Sequence, residues 1–363
     1  MDFAASEATR DLAALTSRVF ETWNEAHPVP HNVSGVREGF DAELWARLES
    51  AGVLDAALPR SVGGGGFGLE EQCAILTACG RFDAAVPYLA SIAVGATAIA
   101  EFGTPAQIER WVVPVVSGTA TLATALGAAG PDVVIARRGP EGLAFDGTCP
   151  AVTAAADADA FLVEALFENG AVLALVDRES KGLRVSREEL VDGDDAALLE
   201  FEGVGIPADA VLDGPDAAAW VHRRQDIAWC ARQLGVLDRA LAAGADYART
   251  REQFGKPIGS FQAVRQRLAD AYIDVDAVRL ALAEAVWRED EGFDSTEAVA
   301  TAAFWAAEAG HRVAHTVVHI HGGVGIDTDH PTHRSFVAAK RAEFALGGAT
   351  TALRRIGRRL ADA

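Results

Sequence analysis

Two stretches in the second half of the sequence carry the residues best suited to hold a phosphate-bearing ligand. The first, YARTREQFGKPIGSFQ at 247–262, places Arg251 and Lys256 beside Phe254. A guanidinium offers a planar fork of donors that matches phosphate oxygens, and an aromatic ring at the same turn can cover a ring system. Basic residues that oppose the dipole at a helix C-terminus have the same composition, and on the chemistry alone this structural interpretation is favoured.

The second stretch, HIHGGVGIDTDHP at 319–331, combines histidines with a glycine pair. Gly322-Gly323 leaves the backbone bare, so a pyrophosphate can approach its N–H groups closely, and His319 and His321 flank the pair. This composition predicts a turn at the end of a helix that can bind an anion.

A zinc site is the competing interpretation, because His311, His315 and His319 recur every four residues along one helix face. The run HRVAH lacks the glutamate of HExxH, and no acidic third ligand is evident nearby. A histidine stripe near a helix end is more often used for packing and hydrogen bonding, so we predict no metal.

The size and composition of the chain limit the functions open to it. Its 363 residues suffice for two or three domains, and a formal charge of −20 argues against binding nucleic acid or an anionic membrane by bulk electrostatics. The four cysteines form no CxxC pair, and the N-terminus lacks the basic start and apolar run of a signal peptide. No uncharged apolar run approaches the roughly 18 residues of a membrane span, so we expect a cytoplasmic protein.

The elements that must position these residues fall into three segments. Residues 1–118 show helical spacing of apolar residues, with Gly52 and Gly80 where helices would end and Thr104-Pro105 where another would begin. Residues 119–212 alternate short β-prone runs with Gly-Pro, Asp-Gly and Asn-Gly turns. Residues 213–363 return to helical periodicity.

This order predicts an α+β fold with an N-terminal α-helical domain at 1–118, a middle antiparallel β domain at 119–212 and a C-terminal four-helix bundle at 213–363. The bundle helices are expected at about 215–250, 261–289, 294–320 and 332–360. Within the last helix, AKRAEFALGGATTA contains Gly347-Gly348, although glycine destabilises a helix interior by about 1 kcal/mol relative to alanine.

TREQFGKPIGSFQ and the later HIHGGVGIDTDHPTHR resemble motifs of the acyl-CoA dehydrogenase family, and LPRSVGGGGFGLEE is similar to its LP…GG pattern. The resemblance covers nearly the whole chain, including the order of helices, strands and helices. It implies an FAD enzyme that removes two hydrogens from the α and β carbons of an acyl-CoA. A carboxylate base takes the α-proton, flavin accepts the hydride, and an electron-transferring flavoprotein accepts the electrons.

The family shares each FAD between two subunits, and this chain retains the residues that the resemblance assigns to the ADP half of a neighbour's FAD. These are Arg251, Gln253, Phe254, Gln262, His319, Gly322 and Gly323. His319 replaces the usual loop glutamine and can still donate a hydrogen bond.

The residues that the resemblance assigns to the chain's own flavin ring are mostly missing. The stretches TALGAAGPD at 124–132 and PAVTAA at 150–155 stand where the family has TEPgaGSD and WIT. Thr124 and Thr153 match the family threonines, whereas the Glu-Pro, the serine and the tryptophan are gone. The loss of several such residues together predicts that no flavin ring binds here.

The resemblance places the catalytic base at Leu346, where the common family pattern has a glutamate beside glycine. The alternative family position on an earlier helix is Gln225, and the adjacent Asp226 points about 100° away around the helix. Glu343 lies one turn before Leu346. We expect both carboxylates to be solvated helix residues, so no catalytic base is predicted.

The chain therefore keeps the residues that would bind a neighbour's FAD, and it lacks most of the residues that its own FAD would need. This separation predicts a subunit that pairs with an intact acyl-CoA dehydrogenase-like subunit. It resembles the degenerate subunit of actinobacterial α2β2 heterotetramers that act on steroid side chains, which implies a bulky, sterol-derived acyl-CoA as substrate. Two alternatives stay open: a self-sufficient homotetramer with Asp226 or Glu343 as base, and a non-catalytic acyl-CoA-binding scaffold.

Overall fold

The structure is a computed structural model that describes residues 5–27, 40–127, 133–140, 142–168 and 170–362. The described residues group into two compact units. The first comprises the described parts of Met1–Gly35, Leu69–Ala84 and Asp226–Ala363, and the second those of Val36–Gly68 and Ala85–Gln225. Each unit draws on more than one of the three predicted segments, and the predicted domain boundaries stay a prediction.

The described residues before 119 are mainly helical, as predicted. The α-helices are α1 (Glu7–Ala26), α2 (Ala42–Ser50), α3 (Val53–Ala56), α4 (Leu69–Phe82), α5 (Thr97–Phe102), α6 (Pro105–Gln107) and α7 (Val113–Val116), and π-helical turns at Leu89–Ala96 and Ile108–Val112 precede α5 and α7. Ser6 caps α1 by accepting the backbone N–H of Thr9. Thr104 forms a capping box with Gln107, which confirms the predicted start at Thr104-Pro105.

Between Leu122 and Leu212, the described residues of the second unit contain one eight-stranded sheet, which confirms the predicted β segment. Its strands are β1 (Leu122–Ala125), β2 (Val134–Gly139), β3 (Gly142–Thr153), β4 (Ala160–Phe167), β5 (Gly170–Asp177), β6 (Leu183–Glu189), β7 (Asp195–Pro207) and β8 (Val211–Leu212). The order is β6-β7-β3-β2-β4-β5-β8, with β1 beside β4. Most pairs are antiparallel, but β4 runs parallel to β1 and β2 because the chain crosses from β3 to the far side of β2.

After the sheet the chain is helical again, apart from one hairpin. The elements are α8 (Ala217–Thr250), β9 (Glu252–Gln253), β10 (Lys256–Pro257), α9 (Gln262–Asp290), α10 (Thr296–His321), α11 (Pro331–Ala345) and α12 (Gly348–Asp362). The helix predicted at 332–360 is thus divided into α11 and α12. No helix in the described part of the chain is both long and apolar enough to cross a membrane.

The division between α11 and α12 follows from two consecutive left-handed residues. The angle φ is 77° at Gly347 and 74° at Gly348, a conformation that costs an L-residue about 1–2 kcal/mol. Leu346 ends α11, and its backbone N–H donates to the carbonyl of Ala342. The chain therefore uses the glycine pair to change direction between two helices.

Gly52 separates α2 from α3 with φ 69°, as expected, but the expectation that Gly80 ends a helix was wrong. Gly80 lies inside α4, where an added Cβ would fall 2.0 Å from the carbonyl oxygen of Arg232 on α8. A Cβ on Gly235 of α8 would lie 1.9 Å from the carbonyl oxygen of Thr77 on α4. These glycines let two helix backbones cross in direct contact.

Replacing Gly348 by alanine should destabilise the first unit by about 1–2 kcal/mol, because the left-handed backbone strains alanine even though nothing lies within 4 Å of the added Cβ. Gly357 in the same helix is the matched control, since its Cβ also meets nothing and its backbone is helical. Alanine there should stabilise by about 0.5–1 kcal/mol. Urea unfolding followed by circular dichroism measures both, and equal shifts for the two variants would contradict the backbone explanation.

Candidate functional site

A tight hairpin after α8 holds the first predicted ligand-binding stretch. The helix expected at about 215–250 ends at Thr250, and β9 and β10 pair directly after it. The two-residue loop of the hairpin is Phe254-Gly255, with φ of 54° and 75°. Two left-handed residues in such a loop form a type I′ turn, where glycine or asparagine is favoured and phenylalanine is not.

Phe254 is therefore held in an unfavourable conformation, and its side chain is 91% exposed. Its ring meets the Phe261 ring edge-on at 6.2 Å, and the ammonium of Lys256 lies 4.5 Å from the centre of the Phe261 ring. Arg251 and Gln253 are exposed on the same hairpin. Backbone strain retained under an exposed aromatic side chain indicates a binding surface.

The second predicted stretch begins where α10 ends. Gly322 has φ 68°, and a Cβ added to Gly322 or Gly323 would meet nothing within 4 Å. His319 in the last turn of α10 is exposed, whereas His321 is buried, with its Nδ1 2.8 Å from the carbonyl oxygen of Val317. A ligand can thus approach this backbone closely beside an exposed imidazole.

A stacked ring pair brings the two stretches together. The Tyr247 ring lies on the imidazole of His321, with 4.3 Å between centroids and 23° between planes. Gly244 of α8 lies at the same crossing, where an added Cβ would be in ordinary van der Waals contact with Leu268 of α9 and Val317 of α10. The end of α8, the start of α9 at Gln262 and the end of α10 therefore meet at one end of the first unit.

The exposed groups at this end fit the ADP half of a flavin nucleotide. They combine a guanidinium fork, amide and imidazole donors, an aromatic face and open glycine backbone, which suits two phosphates and an adenine. The residues are Arg251, Gln253, Phe254, Gln262, His319, Gly322 and Gly323, all of them exposed. The structure brings the predicted set together, and its assignment to the cofactor stays a prediction.

The position expected for the base is apolar and closed. Leu346 is 1% exposed at the end of α11. The Asp226 carboxylate lies 2.7 Å from the guanidinium of Arg355 on α12. The Glu343 carboxylate lies 2.6 Å from the ammonium of Lys340. Each of these carboxylates would have to break its ion pair, with Arg355 or Lys340, before it could accept a proton from a substrate.

Two of the four histidines of α10, His311 and His315, contact each other on the helix surface. The rings of His311 and His315 are 4.5 Å apart, and the ammonium of Lys340 lies 2.8 Å from Nδ1 of His311. Burial, together with His311 and Lys340, lowers the pKa of His315. Among the residues that the structure describes, no three His, Cys, Asp or Glu side chains are placed to hold a metal ion.

Strand β1 of the second unit carries Thr124, which matches a threonine that the family resemblance assigns to the flavin ring. Thr124 is 9% exposed, and its hydroxyl donates to the side-chain oxygen of Gln225 at 3.4 Å. Of the stretch 124–132, residues 128–132 lie outside the described residues. The matched threonine is thus already bonded within the protein.

The second ring-facing stretch, at 150–155, is irregular. Thr153 is the last residue of β3, and its neighbours Ala151 and Ala154 have positive φ of 54° and 61°. The pairing of β3 with β7 shifts register between Cys149 and Val152. The strand is therefore bulged next to Thr153, the residue matched to the second family threonine.

No sequence pattern singled out Glu164, a residue of β4 beside the end of β1. Its carboxylate accepts the backbone N–H of Gly127 at 2.6 Å and lies 2.8 Å from Nε2 of His222. Burial raises the pKa of this carboxyl, but the hydrogen bond and charge of His222 and the Gly127 amide outweigh it, so the pKa ends below its ordinary value. The ionised carboxylate of Glu164 thus accepts the backbone N–H of Gly127, which lies in the stretch that the resemblance aligns with the family's flavin-ring strand.

Comparison with known families matches both ends of the chain. The model described as acyl-CoA dehydrogenase, N-terminal domain, matches residues 7–119. The model described as acyl-CoA dehydrogenase, C-terminal domain, matches residues 216–361. Together these models cover more than half of the sequence.

Similar proteins and solved structures cover the chain from end to end. Acyl-CoA dehydrogenase FadE27 of Mycobacterium tuberculosis is 47% identical over 372 residues, which span 100% of this chain and 99% of that protein. A chain of the ChsE4-ChsE5 complex from Mycobacterium tuberculosis is also 47% identical, with a TM-score of 0.92 and 100% coverage of both chains. A chain of a Tcur3481-Tcur3483 steroid ACAD variant is 36% identical, with a TM-score of 0.90 and 98% coverage of both.

The predicted α+β fold is thus that of the matched proteins, and the chain belongs to the acyl-CoA dehydrogenase family, whose members are oxidoreductases that use FAD.

Proposed function

We propose that this chain is the subunit of a heteromeric acyl-CoA dehydrogenase that lacks its own base and completes the FAD site of a catalytic partner. The observation that carries the proposal is the contrast within the first unit. The groups suited to the ADP half are exposed at one end, whereas Leu346 at the base position is apolar and buried. When bound, FAD supplies the acceptor for the hydride, and this chain's part is to bind and orient it.

Each exposed group has a defined task in this role. Arg251 holds the diphosphate through its fork of donors, and the neutral donors around it fix the orientation of the nucleotide. Phe254 covers the adenine, and Gly322-Gly323 leaves room for phosphate oxygens next to the backbone. Contacts with a neighbour's cofactor offset the cost of the strained, exposed Phe254.

The second unit supports the same division of labour. The amide of Gly127 is bonded to the ionised Glu164, and the hydroxyl of Thr124 is bonded to Gln225. A flavin ring that took these donors would leave a charged carboxylate without its hydrogen bond, at a cost of roughly 1–3 kcal/mol or more. The retained Thr124 therefore serves the fold of this unit.

The partner that we propose is a second, intact acyl-CoA dehydrogenase-like subunit in an α2β2 heterotetramer. Two of the similar structures are named as pairs, ChsE4-ChsE5 and Tcur3481-Tcur3483, and the second is named a steroid ACAD. By analogy the substrate is a bulky, sterol-derived acyl-CoA, since fewer active sites per tetramer leave more room for a large acyl group. An electron-transferring flavoprotein is the proposed electron acceptor.

Flavin counting tests the proposal against its alternatives. The chain purified alone should contain no FAD, whereas co-expression with an intact partner subunit should give a yellow complex with one FAD per pair of subunits. Absorbance at the flavin band and acyl-CoA oxidation are the measurements. A lone chain with one FAD per subunit and activity would support a self-sufficient homotetramer. Absence of FAD even in the complex would support an acyl-CoA-binding scaffold.

Substitution Arg251→Ala should weaken FAD retention by the complex about tenfold or more, because a charged donor to the diphosphate is lost. Arg249→Ala is the matched control, since Arg249 is exposed nearby at the end of α8 and pairs with Asp246 on the same helix. FAD release on gel filtration compares the two. Equal FAD retention in both variants would contradict a role for Arg251 in binding the cofactor.

Substitutions Asp226→Asn and Glu343→Gln should leave turnover per bound flavin unchanged, because neither carboxylate is the base. The amides keep a hydrogen-bond acceptor for Arg355 and Lys340. Loss of a true general base lowers the rate about 10²–10⁴-fold. The steady-state kcat of the complex distinguishes unchanged turnover from such a loss. A fall of that size in either variant would support the self-sufficient alternative.

A further inference from the structure

The last helix of the chain, α12, carries leucines and arginines on its exposed side. Leu353 and Leu360 are 51% and 65% exposed, and they lie seven residues apart, which places them on the same side of the helix. Arg354 and Arg358 adjoin them, and neither forms a hydrogen bond or an ion pair with any residue that the structure describes. These four residues form the basic face of α12.

The other side of α12 is held on the first unit. Ala352 is buried, and the guanidinium of Arg355 lies 2.7 Å from the carboxylate of Asp226 at the start of α8. Arg359 forms an ion pair with Asp294, which precedes α10. Because these contacts fix one side of the helix on the unit, the basic face points away from it, with both of its leucines at least half exposed.

Gly357 lies on the exposed side of α12 between the two leucines. Its backbone is helical, and an added Cβ would meet nothing within 4 Å, so no contact among the described residues requires a glycine here. Glycine destabilises a helix interior relative to alanine, but it lets a second backbone or side chain approach the helix closely. The basic face therefore suits packing against another protein surface.

A cavity of about 390 Å³ in the first unit has the complementary character. Its described lining combines acidic residues with large apolar ones, including Glu70, Asp290, Glu291, Leu282, Val286 and Trp287. Neither Glu70 nor Glu291 has a hydrogen bond or an ion pair within the described ranges of the chain. The one basic residue of the described lining, Arg279, is paired with Asp238 and Asp276. No residue of α12 contributes to that lining.

We propose that the basic face of α12 docks into this cavity on a second copy of the chain. The exposed leucines supply side chains for the apolar wall, and a cavity of about 150 Å³ already suffices to hold benzene. Arg354 and Arg358 donate charge-assisted hydrogen bonds to the carboxylates of Glu70 and Glu291. The contact is separate from the proposed role in FAD binding, because no residue of the ADP-half set takes part in it.

A two-fold arrangement lets both copies make this contact at once. The ion pair of Arg359 with Asp294 places the end of α12 beside the segment that follows Glu291, so the basic face and the acidic cavity share one part of the unit. Two copies related by a two-fold axis can then each dock α12 into the other's cavity.

Charge favours a second copy over the other surfaces that a basic helix can meet. Two α12 helices packed on each other would bring the guanidiniums of Arg354 and Arg358 from both copies together, and like charges repel. An anionic membrane would attract these arginines but would repel the carboxylates of the cavity and a chain of formal charge −20. The cavity of a second copy combines carboxylates with an apolar wall.

Sedimentation equilibrium of the whole chain, without its partner subunit, measures the association over a series of concentrations. The double variant Arg354→Glu, Arg358→Glu reverses the charge of the basic face, and the double variant Glu70→Arg, Glu291→Arg reverses that of the cavity. We expect the unsubstituted chain to form dimers and each double variant to weaken dimerisation about tenfold or more, because like charges then face each other. An equimolar mixture of the two variants should recover the dimer, since each of its two contacts again joins a basic surface to an acidic one.

Arg265→Glu with Arg267→Glu is the matched control for the basic face, because it changes the net charge equally at exposed arginines of α9 that lie outside both surfaces. It should leave dimerisation unchanged, and circular dichroism and melting temperatures establish that every variant is folded. A monomeric unsubstituted chain, equal weakening by the control, or no recovery in the mixture overturns the proposal. Binding of a monomeric chain to phosphatidylglycerol vesicles through Arg354 and Arg358 would assign the basic face to a membrane and also overturns it.

Discussion

The stacking of Tyr247 on His321 holds together the end of the molecule on which its proposed role depends. The helices that carry these residues, α8 and α10, are 34 and 26 residues long, so a small change in their crossing would separate their ends by several ångströms. At the same crossing, Gly244 of α8 lies close to Leu268 of α9 and Val317 of α10. The hairpin after α8 and the glycine loop after α10 can then serve one ligand although they are far apart in the sequence.

The two units differ in where their polar groups find partners. At the proposed donor end, Arg251, Gln253 and His319 are exposed, and Phe254 is strained as well as exposed. In the second unit, Glu164 is satisfied inside the protein. Groups that are exposed and strained gain free energy from a cofactor, whereas groups that are already paired must give up a partner first. This difference is the physical basis of the proposed division of labour between subunits.

Helical and strand periodicity predicted most elements, and the exceptions depend on features that local periodicity does not contain. Gly52 breaks the chain between helices as its local sequence indicates, but Gly80 continues α4 because the backbone of α8 passes against it. Gly347-Gly348 turns the chain through two left-handed residues, so one predicted helix became two. The parallel neighbours of β4 depend on where the chain crosses after β3. In each exception a partner distant in sequence or a backbone turn decided the outcome.

The amino-acid sequence by itself determined which chemical groups the chain has at each position, including a guanidinium at 251 and an isobutyl side chain at 346. Those identities indicated the family, the retained donors and the missing base before any contact was known. Only the tertiary structure decided which of these groups meet, as in the stack of Tyr247 on His321 and the hydrogen bonds of Glu164. One cavity of the first unit is likewise lined by Arg81 of α4, Arg239 of α8 and Arg334 of α11. Such contacts depend on how whole helices and strands pack, and no local run of residues encodes that packing.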